Sequence, residues 1–350
     1  MTRSHRGTFV VLALLLLASL LLSASAGAFR FTPAEMGRYL AQAAGWSTAS
    51  ASDALGSGVF LQLRLPRVLL AALTGAVLGT SGALMQGLFR NPIVEPGLAG
   101  TSAGAALGAS VVFVLGGGAM TRATSVGTLA LPLAAFVGAL GATALVYRVS
   151  VAFGKVHVLT LLLAGIAVNA VCGAGTGFLS YVARDPQARN ITFWNLGTFT
   201  TADWRAVWLV GGAFAPCFAW ALRHGKALNA LMLGEDEAAL LGMDPRRLAR
   251  RLLVLNTLMV AVATAMVGVI AFVGLVVPHA LRLLRSSDYT FLVPASALLG
   301  ATLMVLVDVA ARLVVPPAEL PVGILTAVVG APVFLAILLR QTRAGGLSDG

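Results

Sequence analysis

LLVLNTLMVAVATAMVGVIAFVGLVVPHAL, Leu252–Leu281, holds no charged residue from end to end. A helix that crosses a bilayer needs about 20 apolar residues. The run is therefore too long for one crossing and too short for two. Gly274 and Pro278 lie in its second half, and such residues punctuate helices. The reading is a full helix to about Ala271, then a short one through about Arg285. The other charge-free runs hold one helix each: Gly7–Phe29, Val68–Phe89, Pro96–Thr121, Ala123–Tyr147, Val156–Ala183, Ala206–Leu222, Tyr289–Val307 and Leu320–Leu339. The total is ten membrane helices, and an even number puts both termini on one side.

Composition agrees with an all-α polytopic membrane protein. The chain is 58% hydrophobic and 11% charged, with a mean hydropathy of +0.91. Its net charge of +11 raises the question of nucleic acid. The distribution answers against it. Most of the 24 Lys and Arg fall in segments on the side of the N-terminus, the bias that orients membrane proteins. MTRSHR, an apolar core and Ala24-Ser25-Ala26 imitate a signal peptide. The core is longer than a typical signal's and parity needs this helix, so it reads as an uncleaved first helix. Cys172 and Cys217 sit inside apolar runs with no nearby Cys or His, which argues against a disulfide or a metal site.

Several chemistries lack their residues. No G-x-x-x-x-G-K-[ST] loop is present, so the chain does not bind ATP in that way. No His or Cys cluster offers metal ligands, and no set of catalytic residues stands out. His157 and His279 lie singly at helix ends and read as structural. Asp308 is the one acid deep in a helix-forming run. It lies four residues before Arg312, as in an i,i+4 ion pair. An ion-coupled secondary carrier is the competing class of function, and it lacks the buried carboxylates of a proton relay.

Charge is concentrated in GEDEAALLGMDPRRLARR, Gly234–Arg251. Glu235–Leu241 has Ala and Leu at helical spacing, Gly242 is a stop, and Asp244-Pro245 is the next start. One face can bury Ala238, Leu241 and Met243 against a partner, with Glu235 and Glu237 at the rim. Leu63–Ala109 has an arginine pair, a glycine-rich helix with Gly75, Gly79 and Gly82, and a break at Asn91-Pro92-Ile93-Val94-Glu95-Pro96.

From Leu63 onward the chain resembles the iron-chelate uptake permeases of bacterial ABC importers, which serve haem, iron-siderophores and vitamin B12. The stretches that carry the resemblance are Leu63–Ala109, Thr160–Val171, Phe193–Trp204, Leu233–Asp244, Ile270–Leu284 and Asp308–Arg340. The resemblance implies the type II importer fold: ten helices in inverted repeats, a homodimer with the path between subunits, and an inner-membrane location with both termini cytoplasmic. It implies two ATPase subunits, which carry the ATP and Mg, and a periplasmic substrate-binding protein. The chain then divides as one domain, 1–350. Residues 1–62 form the first helix and a periplasmic segment, 63–205 helices two to five, 223–250 the coupling loop, and 251–340 helices seven to ten. Gly234, Glu235, Glu237, Ala238, Leu241, Gly242 and Met243 match the segment that docks on the ATPase. Arg64, Arg67 and Arg312 match the arginines that receive acidic side chains of the binding protein. Gates match Asn91 and Ile93 after helix two, and His157 and Val158 before helix five. The vitamin B12 branch has small hydroxyl residues at that last position, where this chain has His-Val. Helices five and ten are expected to face the dimer axis. Asn169, Gly173 and Gly177 form a small, mildly polar stripe on helix five. Texture places the chain nearest the haem permeases, with haem a transported substrate rather than a resident cofactor, and siderophore then cobalamin as alternatives. Arg184 and Arg189 are candidates to meet haem propionates, or interfacial anchors.

Overall fold

The structure, a computed structural model, describes residues 3–27, 29–46, 53–116, 125–151 and 158–345. The described residues are helical with connecting turns. In chain order the helices are α1 (Arg3–Ser25), α2 (Pro33–Ala43), α3 (Ala54–Gly58), α4 (Leu65–Leu88), α5 (Thr101–Leu115), α6 (Ser125–Val151), α7 (Val158–Val182), α8 (Gln187–Asn195), α9 (Trp204–Arg223), α10 (Gly225–Leu231), α11 (Glu235–Leu240), α12 (Pro245–Val267), α13 (Val273–Leu284), α14 (Tyr289–Leu313) and α15 (Val322–Gly345). Seven spans are long and apolar enough to cross a membrane: α1, α4 continuous with α3 through the π-helical stretch Val59–Arg64, α6, α7, α9, α12 and α14. Helices α5, α13 and α15 are shorter apolar ones. The nine charge-free runs thus hold ten helices, two of them, α12 and α13, in Leu252–Leu281.

The stretch that sets this count breaks earlier than its sequence suggests. Helix α12 stops at Val267, not near Ala271. Gly268 has φ +80°, and a Cβ there would lie 2.2 Å from the Trp194 carbonyl oxygen. Residues 268–272 are non-helical, and the N–H groups of Gly268, Val269 and Phe272 find acceptors, which apolar surroundings favour. Thr198 N donates to Val267 O (2.8 Å) and Val269 N to Trp194 O (3.3 Å). Phe272 stands at φ +69°, and its N–H donates to the Glu95 carboxylate at 2.6 Å. A carboxylate at a helix start also suits the helix dipole. The α5 run breaks late for a similar reason: Pro96–Ala99 form a tight turn, and Gly100 at φ +88° precedes the helix.

Helix α4 is the axis of the fold, buried along most of its length. It packs on α14 through glycines. A Cβ on Gly75 would sit 2.1 Å from Gly300 O, and one on Gly79 2.2 Å from Ser296 O. Helix α5 meets α6 in the same way at Gly104 and Gly138. Small residues bring membrane helices to backbone distance, where dispersion contacts are densest. The pairing recurs between halves. Helix α4 packs on α14 and α13, while α12 packs on α6 and α5. Each half has five membrane helices, an odd number, so the second half runs inverted to the first.

Two short helices, α2 and α8, were not foreseen from sequence. Helix α2 is capped by Thr32: its Oγ1 accepts from Glu35 N (3.3 Å), and Glu35 accepts from Thr32 N (2.8 Å). Those hydrogen bonds from Thr32 hold the Glu35 carboxyl below its ordinary range. The T-x-x-E signal of this capping box was present at Thr32–Glu35. Met36 and Tyr39 of α2 pack with Phe31 and Phe60.

Candidate functional site

Polar side chains gather at the two ends of the bundle and in one cavity between them. At the far end, where α1 finishes, Arg64, Arg67 and Arg312 line one basin of about 480 Å³ with Phe199, Pro317 and Glu319. Asp308, fully buried, is its hub. Arg67 Nε and Nη2 both donate to Asp308 Oδ1, at 3.0 and 2.8 Å. Arg312 Nε lies 3.1 Å from Oδ2, as the i,i+4 spacing foretold, although its hydrogen bond goes to the Asp308 carbonyl at 3.3 Å. Arg312 also donates to Ala26 O (2.8 Å) and Ser23 Oγ (2.7 Å) at the end of α1. Arg64 donates to Ala26 O and, at 3.3 Å, to Phe29 O. The three arginines expected to share one task are therefore together. Sequence reasoning missed that they also clamp α1, α4 and α14, and it missed Glu319 altogether. A cluster of arginines at helix ends was itself the signal that counter-charges lay near.

At the near end, the charged stretch Gly234–Arg251 forms α11 and the start of α12, and with α10 just before it makes a polar island. Helix α11 ends as the glycine stop suggests: Gly242 at φ +79° donates to Ala239 O (2.9 Å), and Met243 N donates to Ala238 O (3.1 Å). Gly234 at φ +142° starts it, with the Glu237 carboxylate folded over the space a side chain would need. Asp244 caps α12 by accepting from Arg247 N (3.0 Å). One expectation is corrected here. Ala238 has 0% exposure within its own chain, so it is not free to meet a partner. Leu241, which caps the helix, is 64% exposed. Six residues cannot bury one side on the bundle and keep that side open. The outward apolar surface is instead Leu240, 88% exposed, with Leu241 and Leu233.

The island is wired to the membrane helices. Arg90 Nη2 lies 3.5 Å from Glu235 Oε1. Asn229 of α10 donates to Asp288 Oδ1 (2.6 Å) and accepts from Tyr289 N (2.8 Å) at the start of α14. Arg282 of α13 bonds Gln86 of α4 and, at 3.0 Å, the Tyr289 hydroxyl.

Between the ends lies a cavity of about 370 Å³ lined by Glu95, Ser102, Asn169, Gly173, Thr176 and Asn195 among others. Asn169 Nδ2 donates to Gly97 O at 3.2 Å, and its Oδ1 is buried without a partner. Gly173 and Gly177 have open space where a Cβ would point. Asn91 and Ile93 are not among its lining residues. The Asn91 side chain accepts from Ile93 N (3.0 Å) in the turn after α4, close to the island. His157 lies outside the described residues, and Val158 is the first residue of α7. Arg189 stacks over Phe193 with 5.4 Å to the ring centroid. Cysteines at Asn169 and Gly173, in a background lacking Cys172 and Cys217, are expected to react with polar thiol reagents. If both stay inert while the protein remains folded, the cavity is closed packing.

The comparisons with known proteins meet this geometry. Residues 15–340 match the FecCD transport family. The hemin transport system permease protein HmuU of Yersinia pestis is 40% identical over 296 residues, 85% of this chain and 87% of the relative. The vitamin B12 import system permease protein BtuC of Klebsiella pneumoniae is 40% identical over 346 residues, 98% of this chain and 96% of the relative. A metal-chelate type ABC transporter solved in an inward-facing conformation superposes with a TM-score of 0.81 at 31% identity, covering 96% of this chain and 99% of that one. A match along nearly the whole chain, in sequence and in fold, has one consequence: the chain belongs to the FecCD transport family and is a membrane permease subunit of an ABC importer.

Proposed function

We propose that this permease moves haem, or a related iron chelate, from periplasm to cytoplasm across the bacterial inner membrane, through the interface of a homodimer. Both termini and the α10–α11 island face the cytoplasm. Two ATPase subunits, which hold ATP and Mg, dock on the island, and a substrate-binding protein docks on the Arg64–Arg67–Arg312 basin. The observation that carries this reading is a polar cluster at each end of the closely packed α4–α14 pair, with a cavity between them. The hemin permease supports haem as cargo. Vitamin B12 is the second reading, because its permease has the same 40% identity over more of the chain. The test is ATP hydrolysis by the assembled complex with its binding protein loaded with hemin, cobalamin or a ferric siderophore. Hemin is expected to stimulate most. Transport driven by an ion gradient without the ATPase would overturn the reading as a whole.

The island supplies a second test. Leu240→Glu with Leu241→Glu places charge on the outward apolar surface. Burying a leucine is worth roughly 1.5–3 kcal/mol, and about 1.4 kcal/mol is tenfold in affinity. ATPase recovery in a pull-down is expected to fall more than tenfold, while Glu237→Ala changes it little. Unchanged recovery for the double variant would make the island a solvated loop.

A further inference from the structure

Glu319 lies in the Val314–Pro321 connection between α14 and α15. Its carboxylate closes on the outer edge of Arg67. Oε1 accepts from Nη1 at 3.0 Å, and Oε2 lies 2.9 Å from Nη2. We propose that Glu319 is an internal stand-in for a docking carboxylate: it occupies the fork of Arg67 that an acidic partner side chain must take, and docking displaces it. The proposal rests on the basin being the site where the binding protein docks.

Arg67 spends Nε and the inner face of Nη2 on buried Asp308. Arg312 spends its guanidinium on Asp308 and on Ser23 and Ala26. Arg64 is spent on carbonyls at the end of α1. None of those partners can leave without opening the α1–α4–α14 clamp. Glu319 can. Its side chain is 33% exposed, against 0% for Asp308, and it comes from a connection rather than a helix. Rotation of that one side chain uncovers a bidentate fork whose geometry already fits a carboxylate.

Exchange of one carboxylate for another makes docking nearly neutral in contact energy at this point, so association stays reversible. A delivery protein must leave after unloading, and an arginine with no internal partner would hold it longer. The basin keeps three arginines against two carboxylates, a residual positive field that steers an acidic surface. Exposed Leu313, Val314 and Val315 beside it supply apolar surface for the same partner.

The sign of one substitution decides the matter. Glu319→Gln keeps the shape and removes the charge. An ion pair this exposed is worth up to about 1 kcal/mol, so the Kd of the purified cognate binding protein for the permease–ATPase complex in nanodiscs is expected to fall roughly two- to fivefold at low salt. The gain should fade at high salt. Glu319→Asp, which keeps the charge on a shorter arm, should fall between wild type and Glu319→Gln, and it serves if Glu319→Gln does not assemble. Unchanged or weaker docking of these variants would overturn the proposal, since Glu319 would then be positioning Arg67 rather than competing for it. Failure of the docking site itself reads differently: wild-type affinity would be indifferent to salt, and Arg64→Gln would leave it unchanged.

Discussion

Asp308→Ala is expected to be the most destabilising single substitution at the far end of the bundle. Asp308 is fully buried and holds Arg67 at 2.8 Å, with Arg312 at 3.1 Å. Arg312 is itself only 7% exposed. Removing the carboxylate leaves two largely buried guanidinium groups facing each other. Removing one partner of a buried pair costs about 3–5 kcal/mol, and a second stranded charge adds to that. The damage should spread, because the same arginines hold the end of α1 through Ser23 and Ala26. The measurement is the thermal unfolding midpoint of the purified protein in detergent, with recovery of monodisperse protein beside it. Asp308→Asn keeps an acceptor and the volume, and should lose less. A midpoint for Asp308→Ala equal to wild type would show that water already shares these charges and that the hub is not structural.

Gly82→Ala is expected to lose both stability and transport. A Cβ at Gly82 would lie 1.9 Å from Gly274 O and 2.5 Å from Gly274 C. Those are backbone atoms, so no rotamer change relieves the clash. Overpacking a tight core costs about 1–3 kcal/mol, sometimes more. The displaced element is the start of α13, whose first turn is pinned by Glu95 at Phe272 N. Glu95 and residues 269–271 also line the central cavity, so pushing α13 away from α4 changes the cavity too. Gly212→Ala on α9 is the control, with nothing within 4 Å of its Cβ position. Stability is read from the same unfolding midpoint, and transport from vesicles with the partner proteins present. Equal midpoints for the two variants would mean that α4 and α13 are not in backbone contact.

The ten helices were legible because the need to span lipid is one-dimensional: a helix must be apolar over a fixed length, and charges can stand only at its ends. The break in Leu252–Leu281 was legible for the same reason, as a surplus of length. Its position was not. Gly268 ends α12 because the Trp194 carbonyl approaches there from another element, and no spacing within the run reports that contact. The capping glycines of α11 were legible because a helix stop is a local backbone matter. That Ala238 faces inward was not, since the side a six-residue helix buries depends on what it lands on. The same division holds for the arginines. Their type and place at helix ends were written in the chain. Their partners were not: Arg67 finds Asp308 across 241 residues and Glu319 across 252. Asp308 read as the i,i+4 mate of Arg312 because local spacing is all a sequence offers. The crossing of α4 on α14, set by glycine-to-glycine approach, carries Arg67 to the same carboxylate. Sequence decides which segments must leave water and which charges the chain can supply. Only the packing of helices decides which charge meets which, because a hydrogen bond reaches about 3 Å and its partners are chosen by geometry in space.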